Sequence, residues 1–244
     1  MPSLDEKEQE RGEERSRRHA RADRILDAAK ELLQRWGYKK TTIDDIAKQA
    51  NVAKGTIYLH WKTREVLFEA LLVREWLSVL ADLRQRLASD PTGVMLSSLT
   101  RHLVLIAVDN SLFRAVLLRD TETLGDLIHS GAGQNLVQIR LGTSMPYLEL
   151  LYDNGLLRSD IDMETQIKMI SAINIGFFVA DRFLPPGSRL APEELAEALA
   201  LTLHRTFEPE EPPAPEALDK AMQIFNQLLD QFANAIARQY KEIE

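Results

Sequence analysis

Apolar residues recur along this chain at helical spacing, and beyond Pro91 no run alternates with the period of two that marks a half-buried strand. Ile25, Ala28, Ala29, Leu32, Leu33 and Trp36 share one face of a helix over 21–36, which Gly37 closes. Thr42 stands before the next periodic run, with Asp45 three residues on as an acidic capping box; Ile43, Ile46 and Ala47 form the apolar side. Asn51 tolerates the left-handed backbone needed to leave that helix. A second short helix follows, carrying Lys54, Thr56, Ile57, Tyr58 and His60. Thr63 is the expected N-cap of a long helix to about Leu87, ended by Ser89-Asp90-Pro91.

Further helices are predicted over 92–109, 111–118, 121–129, 134–154 with a kink at Pro146, 162–184 and 192–207. Residues 208–215 read as a Pro/Glu-rich linker, and 216–241 as a last helix with a stripe of Leu218, Met222, Phe225, Leu229, Phe232, Ile236 and Tyr240. That stripe must be covered, by this domain or by a second copy. The fold class is all-α. The domains are a disordered charged arm (1–20), a three-helix helix-turn-helix unit (21–70), a larger helical domain (71–207), the linker and the extra C-terminal helix (216–244).

Two short helices joined by a few residues, the second offering a cation, hydroxyls and an imidazole, suit entry into a major groove. Over Thr41–Leu67 the chain resembles the DNA-binding signature of the tetracycline-repressor (TetR) family. The matching residues are Thr42, Ile46, Ala47, Ala50, Val52, Gly55, Thr56, Ile57, Tyr58, His60, Trp61, Arg64, Glu65 and Leu67. Asn51 replaces the usual turn glycine, Trp61 replaces Phe, and Ala53 replaces the usual Ser or Thr cap, a loss of about 1 kcal/mol. The resemblance implies phosphate contacts from Thr42, Tyr58 and Arg64. It also implies a homodimer on a palindromic operator of double-stranded DNA, and an effector held by the second domain.

Composition alters this picture in one respect. The net charge of −7 runs against DNA binding, but residues 15–70 carry 13 basic and 7 acidic groups, while 71–244 carry 15 and 24. The cations lie where phosphate would be met. Arg15, Arg17, Arg18 and Arg21 leave two readings open, an arm reaching phosphate or the minor groove and a solvated tail. There is no cysteine, no apolar run of membrane-spanning length and no secretory signal, so a cytoplasmic protein without membrane association is expected.

The DNA-binding candidates are Thr42, Lys54, Gly55, Thr56, Tyr58, His60 and Arg64, with Gly55 permitting close backbone approach. For an apolar or amphipathic effector, the candidates are Trp76, His102, Phe113, Gln138, Tyr147, Asn174, Phe177 and Phe178, each of which also fits core packing. Helices 162–184 and 192–207, with Gly176, Ala180 and a stripe of Leu195, Ala198, Leu199, Thr202 and Leu203, are the expected dimer surface. No metal-binding, nucleophile, phosphate-loop or dinucleotide motif is present, so no catalysis, metal or cofactor is expected. The function expected is a repressor released by ligand. The alternative is a helical small-molecule-binding or adaptor protein whose DNA-binding unit is vestigial.

Overall fold

Helix starts that the sequence marks with a hydroxyl or carboxylate are capped by those side chains. The computed structural model describes residues 4–129, 145–180, 183–185 and 190–243, and among them every regular element is helical. The elements are α1 (Leu4–Trp36), α2 (Ile43–Gln49), α3 (Lys54–Tyr58), α4 (Arg64–Leu87), α5 (Leu96–Asp109), α6 (Ser111–Leu117) and α7 (Thr121–Leu124). They continue with α8, described over 145–153, then α9 (Met163–Val179), α10 (Pro192–Phe207) and α11 (Pro215–Ile243). Thr63 accepts from the Val66 amide at 3.2 Å, and Asp162 accepts from that of Thr165 at 3.0 Å. Glu194 reaches back to the Ala191 amide at 2.9 Å.

Several expectations need correction. The arm expected to be disordered over 1–20 is helical from Leu4 onward, as the first part of α1. Its sequence is rich in Glu, Arg and Gln, good helix formers, and Glu13 pairs with Arg17 at 3.2 Å across one turn. Ile25, Ala28, Ala29, Leu32 and Leu33 are buried as expected, but Trp36 is 41% exposed, with the Arg35 guanidinium 5.9 Å from its ring centre. The helix expected from Thr92 starts at Leu96, because Asp90 accepts from the Thr92 amide (2.9 Å) and holds residues 91–94 in turns. The helix expected over 121–129 gives way after Leu124 to a 3-10 turn, Gly125–His129, at the left-handed Gly125 (φ 52°). α9 stops at Val179, short of Leu184, whose helical backbone Pro185 disfavours. The expected helix over 134–154 lies outside the described residues as far as 144; from 145 to 153 it is helical.

α4 is the central strut. Leu67, Phe68 and Leu71 near its start are buried with α1, whereas Trp76, Val79, Leu80 and Leu83 belong to the second domain. α5 pairs extensively with α10, and α11 lies along α4. Leu199 and Leu203, expected on the dimer stripe, are completely buried in this α5–α10 packing. The α11 stripe is covered by its own chain: Phe225, Leu229, Phe232 and Ile236 are buried, and Phe232 meets Trp76 edge-on at 5.8 Å. The described part of Tyr240 is its helical backbone.

The linker also begins differently from a solvated tether. Glu208 is only 4% exposed, and its carboxylate accepts from the Ser97 amide (2.7 Å) and hydroxyl (3.0 Å) and faces His204 Nδ1 (2.7 Å). It caps α5 from the far end of α10, in a place where Met95 offers no side-chain cap.

Candidate nucleic-acid interface and effector domain

The helix-turn-helix is fixed by local hydrogen bonds. Thr42 accepts from the Asp45 amide (3.2 Å), and Asp45 accepts from the Thr42 amide (3.1 Å) and hydroxyl (2.5 Å). These bonds from Thr42 hold the Asp45 carboxyl below its usual pKa. Asn51 takes the left-handed conformation at φ 54°, and the Val52 amide returns to the Ala47 carbonyl at 3.0 Å. α3 then begins at Lys54 after Ala53, which supplies no side-chain cap.

α3 has two sharply different sides. Ile57 and, just beyond the helix, Trp61 are buried in the core, and α3 packs against α2. Lys54, Gly55, Tyr58 and Leu59 are exposed, with Tyr58 at 45% and Leu59 at 75%; Thr56 is half-buried. His60 is not in the helix, as expected from sequence, but in the turn that follows, with its ring 5.2 Å from that of Trp61. Lys54 Nζ lies 2.8 Å from Asp44 Oδ2, and that bond raises the ammonium pKa, so the cation is charged and held over α2.

Gly55 has no internal explanation. A β-carbon there would meet nothing within 4 Å, and its backbone is not in the left-handed region. Glycine inside a helix costs about 0.5–1 kcal/mol relative to alanine. The open space therefore lies on the outside of the protein.

Arg64, expected at a phosphate, also makes contacts within the chain. Its guanidinium donates to the Tyr38 carbonyl and stacks 3.9 Å over the Tyr38 ring, 5.6 Å from Phe68. It ties the turn after α1 to the start of α4. Gly37 (φ 75°) makes that turn, and a β-carbon there would run into the Glu122 carbonyl oxygen at 2.7 Å.

The expected effector residues fall into separate groups. Trp76 and Phe113 meet edge-on at 5.1 Å and line a crevice with Leu72, Glu75, Leu112 and Val116, too narrow for a water molecule. The buried Trp76 Nε1 has no hydrogen-bond partner. His102 and Tyr147 serve the α4–α5 turn instead: His102 Nε2 is 2.8 Å from Asp90, and the Tyr147 hydroxyl donates to the Val94 carbonyl at 2.9 Å. Asn174 is not buried: it is half-exposed and donates to the Ile170 carbonyl of its own helix at 2.9 Å. Phe177 and Phe178 are half-buried on α9, away from that crevice's lining. Gln138 lies outside the described residues.

Sequence reasoning missed Glu75. It is 6% exposed beside Trp76 and accepts from Lys30 of α1 (2.6 Å) and from Asn110 (3.1 Å), the N-cap of α6. Arg74 adds a second cation at 3.5 Å. This carboxylate joins the helix-turn-helix unit to the second domain along α4. No three-residue metal-binding cluster exists among the described residues, and no described helix is long and apolar enough to cross a membrane.

Comparison with known proteins accords with this geometry. Residues 25–71 match the family model for bacterial regulatory proteins, tetR family. Two HTH-type regulators of Bacillus subtilis (strain 168), YhgD and YvkB, are 42% and 51% identical over 62 and 49 residues, 25% and 20% of this chain; the chain spans only 30% and 26% of their length. The HTH-type transcriptional regulator YdeS of the same organism is 30% identical over 157 residues, 60% of this chain and 72% of the relative. The HTH-type transcriptional repressor KstR2 of Mycolicibacterium smegmatis is 25% identical over 193 residues, 75% of this chain and 89% of that protein. The structure of the ketosteroid transcriptional regulator KstR2 of Mycobacterium tuberculosis shares the fold, with a TM-score of 0.51 at 20% identity over 78% of this chain and 96% of that one. A signature that includes Thr42, Gly55 and Ile57, a second domain that is helical among its described residues and a relative matched over most of its length together place this chain in the tetR family of bacterial regulatory proteins.

Proposed function

We propose that the chain is a ligand-released repressor that binds a palindromic operator as a dimer. The observation that carries this reading is α3, pinned on one side by Ile57 and Trp61 and presenting Lys54, Gly55, Thr56 and Tyr58 on the other. These groups suit phosphates and base edges in a major groove. The exposed Lys39, Lys40, Lys48 and Lys62 add cations to the same unit. Repression accords with KstR2 being a transcriptional repressor.

The dimer reading is supported by unpartnered apolar area. Ile175, Leu184, Leu190 and Leu201 are about half exposed on α9, α10 and the segment between them, and Phe183 is 82% exposed. A two-fold partner would cover such a surface and set two α3 helices about 34 Å apart, or a multiple of it.

An apolar effector would enter beside Trp76 and Phe113, where the crevice is closed and Trp76 Nε1 lacks a partner. Opening it displaces Glu75 or α6, and so acts on Lys30 and the helix-turn-helix. An effector shifts the DNA affinity only by the difference in its own affinity for the two states. The test is duplex binding at several salt concentrations, with light scattering for the dimer. A monomer at micromolar concentration, or equal weak binding to random duplexes, would contradict the proposal.

A further inference from the structure

Leu59 is an apolar side chain on the polar, cation-bearing face of the helix-turn-helix. It is 75% exposed, while Ile57 and Trp61 on either side of it are buried. The helical backbone continues into it: the Leu59 amide donates to the Gly55 carbonyl at 3.2 Å. Residues four apart share a helix face. Leu59 therefore stands as a knob one turn beyond the notch that Gly55 leaves empty.

Neither feature serves this chain's own packing. The glycine has nothing within 4 Å of its missing β-carbon, and the leucine turns away from the core. A protein partner is the poorer fit, since docking patches are contiguous apolar areas of hundreds of square ångströms. Here the neighbours are Lys54, Thr56 and Lys62, with the half-exposed Tyr58. Among the groups on a major-groove floor, the thymine C5-methyl is the apolar one.

We propose that Leu59 reads the C5-methyl of a thymine in the major groove, with the Gly55 notch letting α3 come close enough for contact. This rests on the DNA-binding reading and makes it more specific. It assigns a sequence-determining role to a residue that the family signature leaves variable, and it commits one base pair of each half-site to T·A. Lys54 and Tyr58 supply affinity, and Leu59 supplies discrimination.

The test begins by selecting duplexes from a random pool with the full-length protein and with Leu59→Ala. Each thymine of the selected half-site is then replaced singly by deoxyuridine, which deletes only the methyl. At one position, deoxyuridine should weaken the wild type about fourfold, the worth of one buried methyl. It should leave Leu59→Ala unchanged, and Leu59→Ala should lose its preference at that base pair alone. Leu59→Gln, equally exposed, should shift the preference there towards adenine on the contacted strand. Unchanged thermal melting of both variants shows that the fold is intact. A wild type that selects a sequence but shows no deoxyuridine effect dependent on Leu59 overturns this assignment and leaves the DNA reading standing. A wild type that selects nothing overturns both.

Discussion

The Lys30 ammonium lies 2.6 Å from the Glu75 carboxylate, a contact between α1 and α4 that joins the two halves of the molecule. Glu75 is nearly enclosed, with 8% of its side chain exposed, while Lys30 retains 32%. A carboxylate so placed depends on its partners, since a buried charge without compensation is costly. Asn110 completes the junction from the start of α6. A double-mutant cycle of Lys30→Ala and Glu75→Ala in urea unfolding should give a coupling of about 1–3 kcal/mol. Additive losses would show that α1 and α4 are held by packing alone.

Gly55→Ala separates stability from function. The missing β-carbon has open space, so alanine should raise stability by about 0.5–1 kcal/mol through helix propensity. The same methyl should stand between α3 and the groove and weaken DNA binding by roughly tenfold or more. Equal binding by the variant would mean that the notch is not approached by DNA.

Asp90 sets the acid limb of stability. Burial pushes its carboxyl up, but hydrogen bonds from Ser98, His102 and Thr92 outweigh that and bring it from 3.8 down to about 2. Because folding lowers this pKa, the ionised carboxylate stabilises the native state above about pH 4. That contribution, about 2 kcal/mol, is lost as pH falls from about 4 towards 2. Asp90→Asn should be less stable at neutral pH and show a flatter decline across that window. An unchanged acid limb would assign the acid sensitivity elsewhere.

The C-terminal helix is an integral part of the second domain. Phe232 is 7% exposed against Trp76, and Arg84 meets Asp230 at 2.5 Å on the rim. Phe232→Ala should cost about 3 kcal/mol or more in urea unfolding, whereas Asp230→Ala, an exposed pair, should cost under about 1 kcal/mol. A Phe232→Ala variant as stable as wild type would show α11 to be only loosely attached.

The parts of this molecule that were legible in its sequence are those whose partners lie within one turn. Thr42 with Asp45, and Thr63 with Val66 as the N-cap of α4, are each separated by three residues, and each is made. Asn51 left the helix as its short polar side chain allows. Long-range partners were not legible. Glu75 reads as an ordinary solvated charge until Lys30, 45 residues away, is placed against it. Glu208 looks like linker until Ser97, 111 residues away, is seen to need a cap. Arg64 matches a family position at phosphate, and nothing local in the sequence shows that the Tyr38 ring and carbonyl, 26 residues away, also hold its guanidinium. Asn174, a candidate for effector contact, has its amide satisfied by its own helix. The run around it is apolar, yet only part of that run is buried: Ala172, Ile175 and Gly176 are exposed on α9.

The most direct test is titration of the protein against its selected duplex at several salt concentrations, beside Lys54→Ala plus Tyr58→Ala. The wild type should bind tightly and selectively, with affinity falling steeply as salt rises, because cations on α3 and its neighbours displace counterions from phosphate. The double variant should melt like the wild type and lose the duplex. Tight binding retained by that variant, or wild-type binding that ignores both sequence and salt, would contradict the account of α3 as the DNA-reading element.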